Sequence, residues 1–393
     1  MIDYAADCNC TGCSACFNAC PVDALSMAAN EQGFAYPKVD YDKCIKCKKC
    51  LKVCPSLNPL TVSRDPKPDV YAAWNQDACI RMDSTSGGVF SALAAAVLQR
   101  GGYVAGAEYD EQFRIRHTLI HSNDGIERQR QSKYAQSDLG TIFREIRLLL
   151  DQGELVLFCG TPCQSAGLQS YLMREYDNLF CCDFICRGVI SPKVYYKFLK
   201  DMKPNIGASL KRVHFKNKDY GWNRFSTKLL FSDGSTYQKD RNEDYYMRGY
   251  LHHNLYLRDC CYRCDYKTLP RVSDMSLGDF WGIGNFDPSL DNEKGTSVVI
   301  VNSEKGRLLL SWAKDALALS ERTLEEVLSG NSCLLNSASV GPHRDYFFKH
   351  MDRCRFDTLI RRIDRKTQKL SLTDRLLRFG SMLKRRLSNR SRR

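Results

Sequence analysis

The chain has 393 residues, 43% of them hydrophobic, enough for one large domain with a buried core and a smaller companion. Its net charge of +13 points to nucleic acid only until the charge is located: residues 353–393 hold 15 Lys and Arg against 3 Asp, the remainder is close to neutral, and no nucleic-acid partner is expected. No run approaches the roughly 18 apolar residues of a membrane span and Met1-Ile2-Asp3-Tyr4 opens no secretory pattern, so the 20 cysteines are expected in a reducing cytoplasm, as metal ligands rather than disulfides.

The first elements are cysteine loops. Cys10, Cys13, Cys16 and Cys20-Pro21 are followed by Cys44, Cys47, Cys50 and Cys54-Pro55, each reading Cys, two residues, Cys, two residues, Cys, three residues, Cys-Pro. Three thiolates so spaced on a tight loop reach three corners of an iron–sulfur cube, and the fourth points away to ligate the other cube. Zinc sites instead pair separate two-Cys knuckles. Residues 1–58 therefore read as a small ferredoxin-like domain with two [4Fe-4S] clusters, its apolar pieces 24–27 and 34–39 forming a hairpin and Cys8 standing as a spare thiol.

Residues 59–69, with Pro59, Pro66 and Pro68, read as a linker, and a main domain is expected over 70–350. Strand composition over 70–74 leads through Ser86-Gly87-Gly88 into a helix over 89–98 and a strand over 103–107, the alternation of an α/β architecture. After the polar loop 131–137 and a helix over 145–150, an apolar strand over 155–158 stops at Cys159-Gly160-Thr161-Pro162-Cys163 and a helix follows over 165–173. The strand over 179–185 stops at Cys186-Arg187-Gly188, and Ser191-Pro192 opens another helix. The sheet is expected to be mixed and largely parallel, which puts Cys163 and Cys186 on its carboxyl edge, where ligands bind. Strands over 212–215 and 225–231, a turn at Asp233-Gly234, a helix over 245–257, a strand over 297–301 and a closing helix over 305–319 complete the body.

Cys261 and Cys264 can chelate one side of a metal but cannot complete a cube alone. Cys163 and Cys186 are the best-placed partners, so the four together suggest a third [4Fe-4S] cluster; a zinc knuckle or unrelated buried thiols are the alternatives, and the neighbouring Cys159, Cys181, Cys182 and Cys260 leave the register open. His214, His252 and His253 read as packed or surface histidines, and no catalytic acid stands out. In the tail, 351–393, Leu372, Leu376, Phe379, Leu383 and Leu387 recur at helical spacing beside Arg375, Arg378, Lys384, Arg385 and Arg386, as in a basic amphipathic helix suited to an anionic membrane surface or to the body itself.

From Cys10 to about Leu319 the chain resembles the coenzyme F-420 hydrogenase/dehydrogenase beta subunit family, in the form with a fused two-cluster ferredoxin that is also seen in 7-hydroxymethyl chlorophyll a reductase. The motifs are Ser86-Gly87-Gly88, Ser132-Lys133-Tyr134 with Ser137, Gly160-Thr161-Pro162-Cys163-Gln164, Cys186-Arg187-Gly188, Cys261 to Cys264, and Ser276-Leu277-Gly278-Asp279-Phe280-Trp281-Gly282. The resemblance implies a flavoprotein: FAD near Gly87, Gly88, Lys133, Tyr134, Ser137, Gly278 and Asp279, beside a cluster on Cys163, Cys186, Cys261 and Cys264. It also implies an oxidoreductase that passes electrons between a carrier such as reduced ferredoxin and a small organic substrate, with bacterial relatives associated with cell-surface polysaccharide synthesis. An electron-transfer subunit docking on a larger hydrogenase or dehydrogenase is the alternative. The location expected is the cytoplasm, with the inner membrane face as a peripheral site.

Overall fold

The computed structural model of the protein describes residues 2, 9–62, 64, 67–204 and 207–368. Near the N-terminal end β1 (Leu25–Ala29) pairs antiparallel with β2 (Ala35–Val39), Leu25 opposite Val39, in the hairpin that the two apolar pieces predict.

The body contributes β3 (Asp69–Asn75), β4 (Tyr103–Tyr109), β5 (Ile115–Ile120), β6 (Val156–Cys159), β7 (Leu179–Phe184), β8 (Leu210–Asn217), β9 (Ser226–Phe231), β10 (Thr236–Asp240), β11 (Met275–Asp279), β12 (Ser297–Val301) and β13 (Leu317–Arg322). Eight of these form one sheet in the order β13-β3-β12-β11-β7-β6-β4-β5, and β10-β9-β8 form a separate antiparallel sheet. Only the middle strands β11, β7, β6 and β4 run parallel, while β5, β12, β3 and β13 are antiparallel to their neighbours, so the sheet is mixed rather than largely parallel. The reason lies in the connections: long helical crossovers serve the middle, whereas a short turn after Tyr109 brings β5 straight back along β4.

Strands β6, β7 and β12 are mostly apolar, broken only by Asp183 and Ser297, because both faces of the sheet are covered. Leu157, Phe180, Cys182 and Val299 meet the helices Val89–Leu98 and Glu304–Ala313 on one face. On the other, Val156, Phe158, Leu179 and Cys181 meet Ile142–Asp151 and Pro162–Leu172. Ser191 caps its helix through the Val194 N–H at 3.3 Å, with Pro192 in the first turn.

Two expected helices end early. The helix over 305–319 stops at Ala313, and Leu317–Arg322 becomes β13, which supplies hydrogen-bond partners to the outer edge of β3. Of 245–257 only Tyr245–Met247 is α-helical, followed by a wider turn over Arg248–His252; Leu255, Tyr256 and Leu257 are all fully buried, which consecutive positions on a one-faced helix cannot be. The body also continues past 350, since a helix over 356–368 buries Phe356, Leu359, Ile360 and Ile363 in the core. The amphipathic repeat from Leu372 onward lies outside the described residues. No helix among them is long and apolar enough to cross a membrane.

Candidate metal centre

The two cysteine loops are built alike. In the first, Gly12 and Ser14 adopt positive φ, 70° and 60°, between successive cysteines, and in the second Lys46 and Lys48 do so at 58° and 61°. Each left-handed residue turns the chain back, so that the flanking thiols face inward. Cys10, Cys13, Cys16 and Cys54 are close enough to act on one another electrostatically. Cys20, Cys44, Cys47 and Cys50 line a second, separate hollow. The last cysteine of each loop is thus gathered with the first three of the other.

Burial is the main cause that pushes the Cys13 thiol up to about 12 and raises Cys10 and Cys16, and backbone N–H groups of Gly12, Ala15 and Phe17 work against it by bonding to the three sulfurs. Thiols this protonated must lose their protons to solvent when they bind a metal.

A third gathering lies at the carboxyl ends of β6 and β7. Cys163 enters the helix Pro162–Leu172, whose start is fixed by a reciprocal cap between Thr161 and Gln164, while Cys186 follows β7. Cys261 and Cys264 come from the turn Asp259–Arg263 and the residue after it. The four thiols influence one another, and burial raises all of them, although for Cys261 its bond with the adjacent Cys260 is the larger cause. Each also has a hydrogen-bond partner: Cys163 pairs with Thr161 Oγ1 at 3.1 Å, and Cys186, Cys261 and Cys264 accept from the N–H groups of Gly188, Val189 (3.5 Å) and Tyr266. Cys260 instead faces Tyr36 and Arg258. Cys181 is buried below the sheet, and Cys159 bonds Cys182 within the core. Among the described residues, no three Cys, His, Asp or Glu groups stand as close as a single bound ion requires.

The first and third gatherings are neighbours. Gly167 is where the helix carrying Cys163 meets the first loop, and a Cβ there would stand 2.7 Å from Cys13 Cβ, so only glycine permits this approach. Burial raises the Tyr266 hydroxyl first, and the thiols of Cys163 and Cys13 both add to the effect, which places this ring beside both groups. Arg258 locks the arrangement: Nε donates to Cys10 O at 2.8 Å, Nη2 to Ala35 O at 3.0 Å and Nη1 to Gln136 Oε1 at 3.1 Å, while the guanidinium lies 4.1 Å from the Tyr36 ring centre.

The residues expected near FAD form two linked loops and a strand end. The Gly87 N–H donates to Ser297 Oγ at 2.9 Å, and Gly88, at φ 86°, precedes the helix Val89–Leu98. Ser132 N–H donates to Thr85 Oγ1 at 2.8 Å and ties this loop to the one bearing Lys133 and Tyr134. Lys133 Nζ donates to the carbonyls of Arg128, Arg130 and Gln131, and burial pushes its pKa down to about 7. Tyr134 packs against Phe215 and Tyr250 and senses both Asp279 and Cys186. Ser137 is turned aside to accept from Gln164 Nε2 at 3.0 Å. Gly278 packs on Ile185 and Val298, and Asp279 pairs with Lys216 at 2.6 Å while accepting from Trp222 Nε1 at 2.8 Å.

Sequence reasoning missed Lys218, which is buried, bonds the carbonyls of Arg81, Ser86 and Lys294, and is likewise pushed to about 7 by burial. It also missed Arg258, Tyr266 and Cys333; the last lies 3.8 Å from Arg187 Nη1, and its carbonyl shares Lys267 with that of Cys186. None of these carries a local motif. His253 pairs with Asp364 at 2.7 Å and His214 faces Gln131 at 3.2 Å.

Residues 9–58 match a 4Fe-4S dicluster domain. Residues 70–144 match the N-terminal part of the coenzyme F420 hydrogenase/dehydrogenase beta subunit and 153–327 its C-terminal part. No curated protein matches the chain. Among solved structures, a chain in the xenon-derivatised F420-reducing [NiFe] hydrogenase complex from Methanosarcina barkeri is similar at 17% identity and a TM-score of 0.47, over 77% of this chain and 95% of that one.

Proposed function

Because this chain belongs to the coenzyme F420 hydrogenase/dehydrogenase beta subunit family and carries a 4Fe-4S dicluster domain, we propose that it is an iron–sulfur electron-transfer protein that works docked on a larger oxidoreductase. The single observation that carries this reading is the contiguity of the thiol groups, with Tyr266 beside both Cys13 and Cys163. A chain serving only as a scaffold has no need for a third set of four cysteines beside the first.

In this reading Cys10, Cys13, Cys16 and Cys54 hold one four-iron cluster, Cys20, Cys44, Cys47 and Cys50 a second, and Cys163, Cys186, Cys261 and Cys264 a third. The donor sets suit the group, each offering four thiols, and the N–H and O–H donors at the sulfurs are a known lever on cluster potential. FAD is the fourth cofactor proposed, and it would supply the exchange between single electrons and a hydride. Lys133 and Lys218 fit its diphosphate: Lys218 is buried and Lys133 partly buried, both donate only to carbonyls in the hydrogen bonds described, and neither forms an ion pair among the described residues. Tyr134, next to Lys133 in sequence, is close enough to both Asp279 and Cys186 to feel their charge.

A self-contained reductase with its own small organic substrate is the second reading, favoured by the incomplete burial of Lys133, Tyr134 and Cys186, which leaves this region open. Anaerobic purification with iron, sulfide and flavin quantification tests the cofactor assignment: about twelve irons and one FAD per chain are expected. A protein with iron but no flavin under saturating FAD contradicts the flavin assignment. Capture of a large oxidoreductase in stable complex favours the subunit, and turnover of a small molecule by the isolated chain favours the reductase.

A further inference from the structure

The second cysteine loop presents a surface that the first does not. Between residues 41 and 52 stand Lys43, Lys46, Lys48, Lys49 and Lys52, all exposed, with Asp42 the only carboxylate in that span. Lys43 pairs with Asp40 at 3.1 Å, and the other four make no ion pair among the described residues. Within this collar lie Ile45, 61% exposed, Tyr41, 55% exposed, and the exposed thiol Cys47. A groove beside Cys20 is bordered by Lys49 and Lys52 and, on the body side, by Arg144 and Arg147, which pair with Asp23 at 2.7 Å and Asp151 at 3.9 Å.

The internal repeat supplies the control. At equivalent places the first loop has Thr11, Gly12, Ser14 and Ala15, where the second has Ile45, Lys46, Lys48 and Lys49. Metal binding alone therefore does not call for lysine. Lys46 and Lys48 sit in the left-handed region, which glycine and asparagine occupy more readily. Four like charges on so short a loop repel one another, and their gain comes only when an anionic partner covers them.

Resting on the electron-transfer reading above, we propose that the Lys43–Lys52 loop is the docking face for a small acidic single-electron carrier protein, with Ile45 and Tyr41 at the dry centre of the contact and the lysines as its rim. The carrier reaches this protein at Cys47, the ligand of the proposed clusters most open to solvent. A charged rim around a small apolar centre is the anatomy of a fast, weak encounter, in which charge steers association and little area is buried.

The test uses the anaerobically reconstituted full chain and a combined variant, Lys46→Asn, Lys48→Asn, Lys49→Gln and Lys52→Gln; asparagine suits the left-handed positions and glutamine the helix. Binding of an oxidised acidic plant-type ferredoxin is measured by biolayer interferometry from low to high salt, alongside iron content and bleaching by dithionite. The expected result is affinity that falls steeply with salt in the native protein, drops about 10- to 100-fold at low salt in the variant with most of its salt dependence gone, and returns when the four positions are arginine. Iron content and dithionite bleaching stay unchanged. Equal affinity and salt dependence in the native protein and variant overturn the docking face and leave the electron-transfer reading standing. Loss of anionic-vesicle binding in the variant, with ferredoxin binding intact, assigns the face to a membrane and overturns the carrier. A native protein without iron overturns the electron-transfer reading, whatever ferredoxin binding shows.

Discussion

The two cysteine loops have the same spacing and the same left-handed turns, yet one is sealed and the other is open. Thr11, Ser14 and Ala15 are 8%, 5% and 0% exposed, whereas Ile45, Lys46, Lys48 and Lys49 are all exposed. The cysteines and the turns between them are set by the shape of the group they enclose. What fills the positions between them is set by what each loop faces: the body in one case and solvent in the other. A repeat in sequence is therefore not a repeat in function, and the two loops read as the inner and outer ends of one path.

That contrast can be broken at its strongest point by removing the lock on the inner loop. Arg258→Ala leaves three acceptors unpaired in a buried site, and is expected to cost about 3–5 kcal/mol in urea unfolding and to speed iron release from the N-terminal domain. Its counterpart Lys43→Ala breaks only an exposed, solvent-screened ion pair and should leave both measurements nearly unchanged.

Exchanging residues between the loops comes next in size. A Cβ on Gly12 would stand 2.7 Å from Gln136 Nε2 and 2.9 Å from Arg258 Nη1, at φ 70°. Gly12→Lys is therefore expected to destabilise by about 2–3 kcal/mol, read by thermal or urea unfolding. A neutral Gly12→Lys would mean that the first loop is not held against the body.

The lysines divide the molecule in the same way. Those of the outer loop are solvated, while Lys218 is buried and Lys133 partly so, with pKa values pushed down to about 7 by burial. A bound diphosphate stabilises their charged forms and raises both values, so binding takes up protons. FAD affinity should be level below about pH 7 and fall as pH rises above it, by up to about tenfold per pH unit for each lysine. Fluorescence titration between pH 6 and 9 checks the sign; affinity that rises with pH would remove these lysines from the phosphate site. The smallest effect expected is Lys46→Gly, within about 1 kcal/mol, because glycine relieves the turn while the unfolded chain gains freedom.

Much of this arrangement was legible in the residues themselves. The cysteine spacing, the strand ends bearing Cys163 and Cys186, and the Ser191-Pro192 cap are local signals, and local signals survive folding. The strand Leu317–Arg322 was not legible, because its residues are drawn into the sheet by the open edge of β3, far away in sequence. Nor were Arg258 and Lys218, whose partners Cys10 and Arg81 lie 248 and 137 residues away. Tyr266 has no motif and is marked only by the two thiol groups beside it. The sheet's antiparallel flanks were hidden for a related reason, since apolar composition reports burial on both faces but not strand direction.

The central claim is that three sets of four thiols stand in series, and Cys163 is the residue on which the third set can be tested alone. Anaerobically reconstituted native protein should hold about twelve irons per chain, and Cys163→Ser about eight, with the N-terminal clusters retained. A native protein that holds about eight, with the same iron in Cys163→Ser, would contradict it.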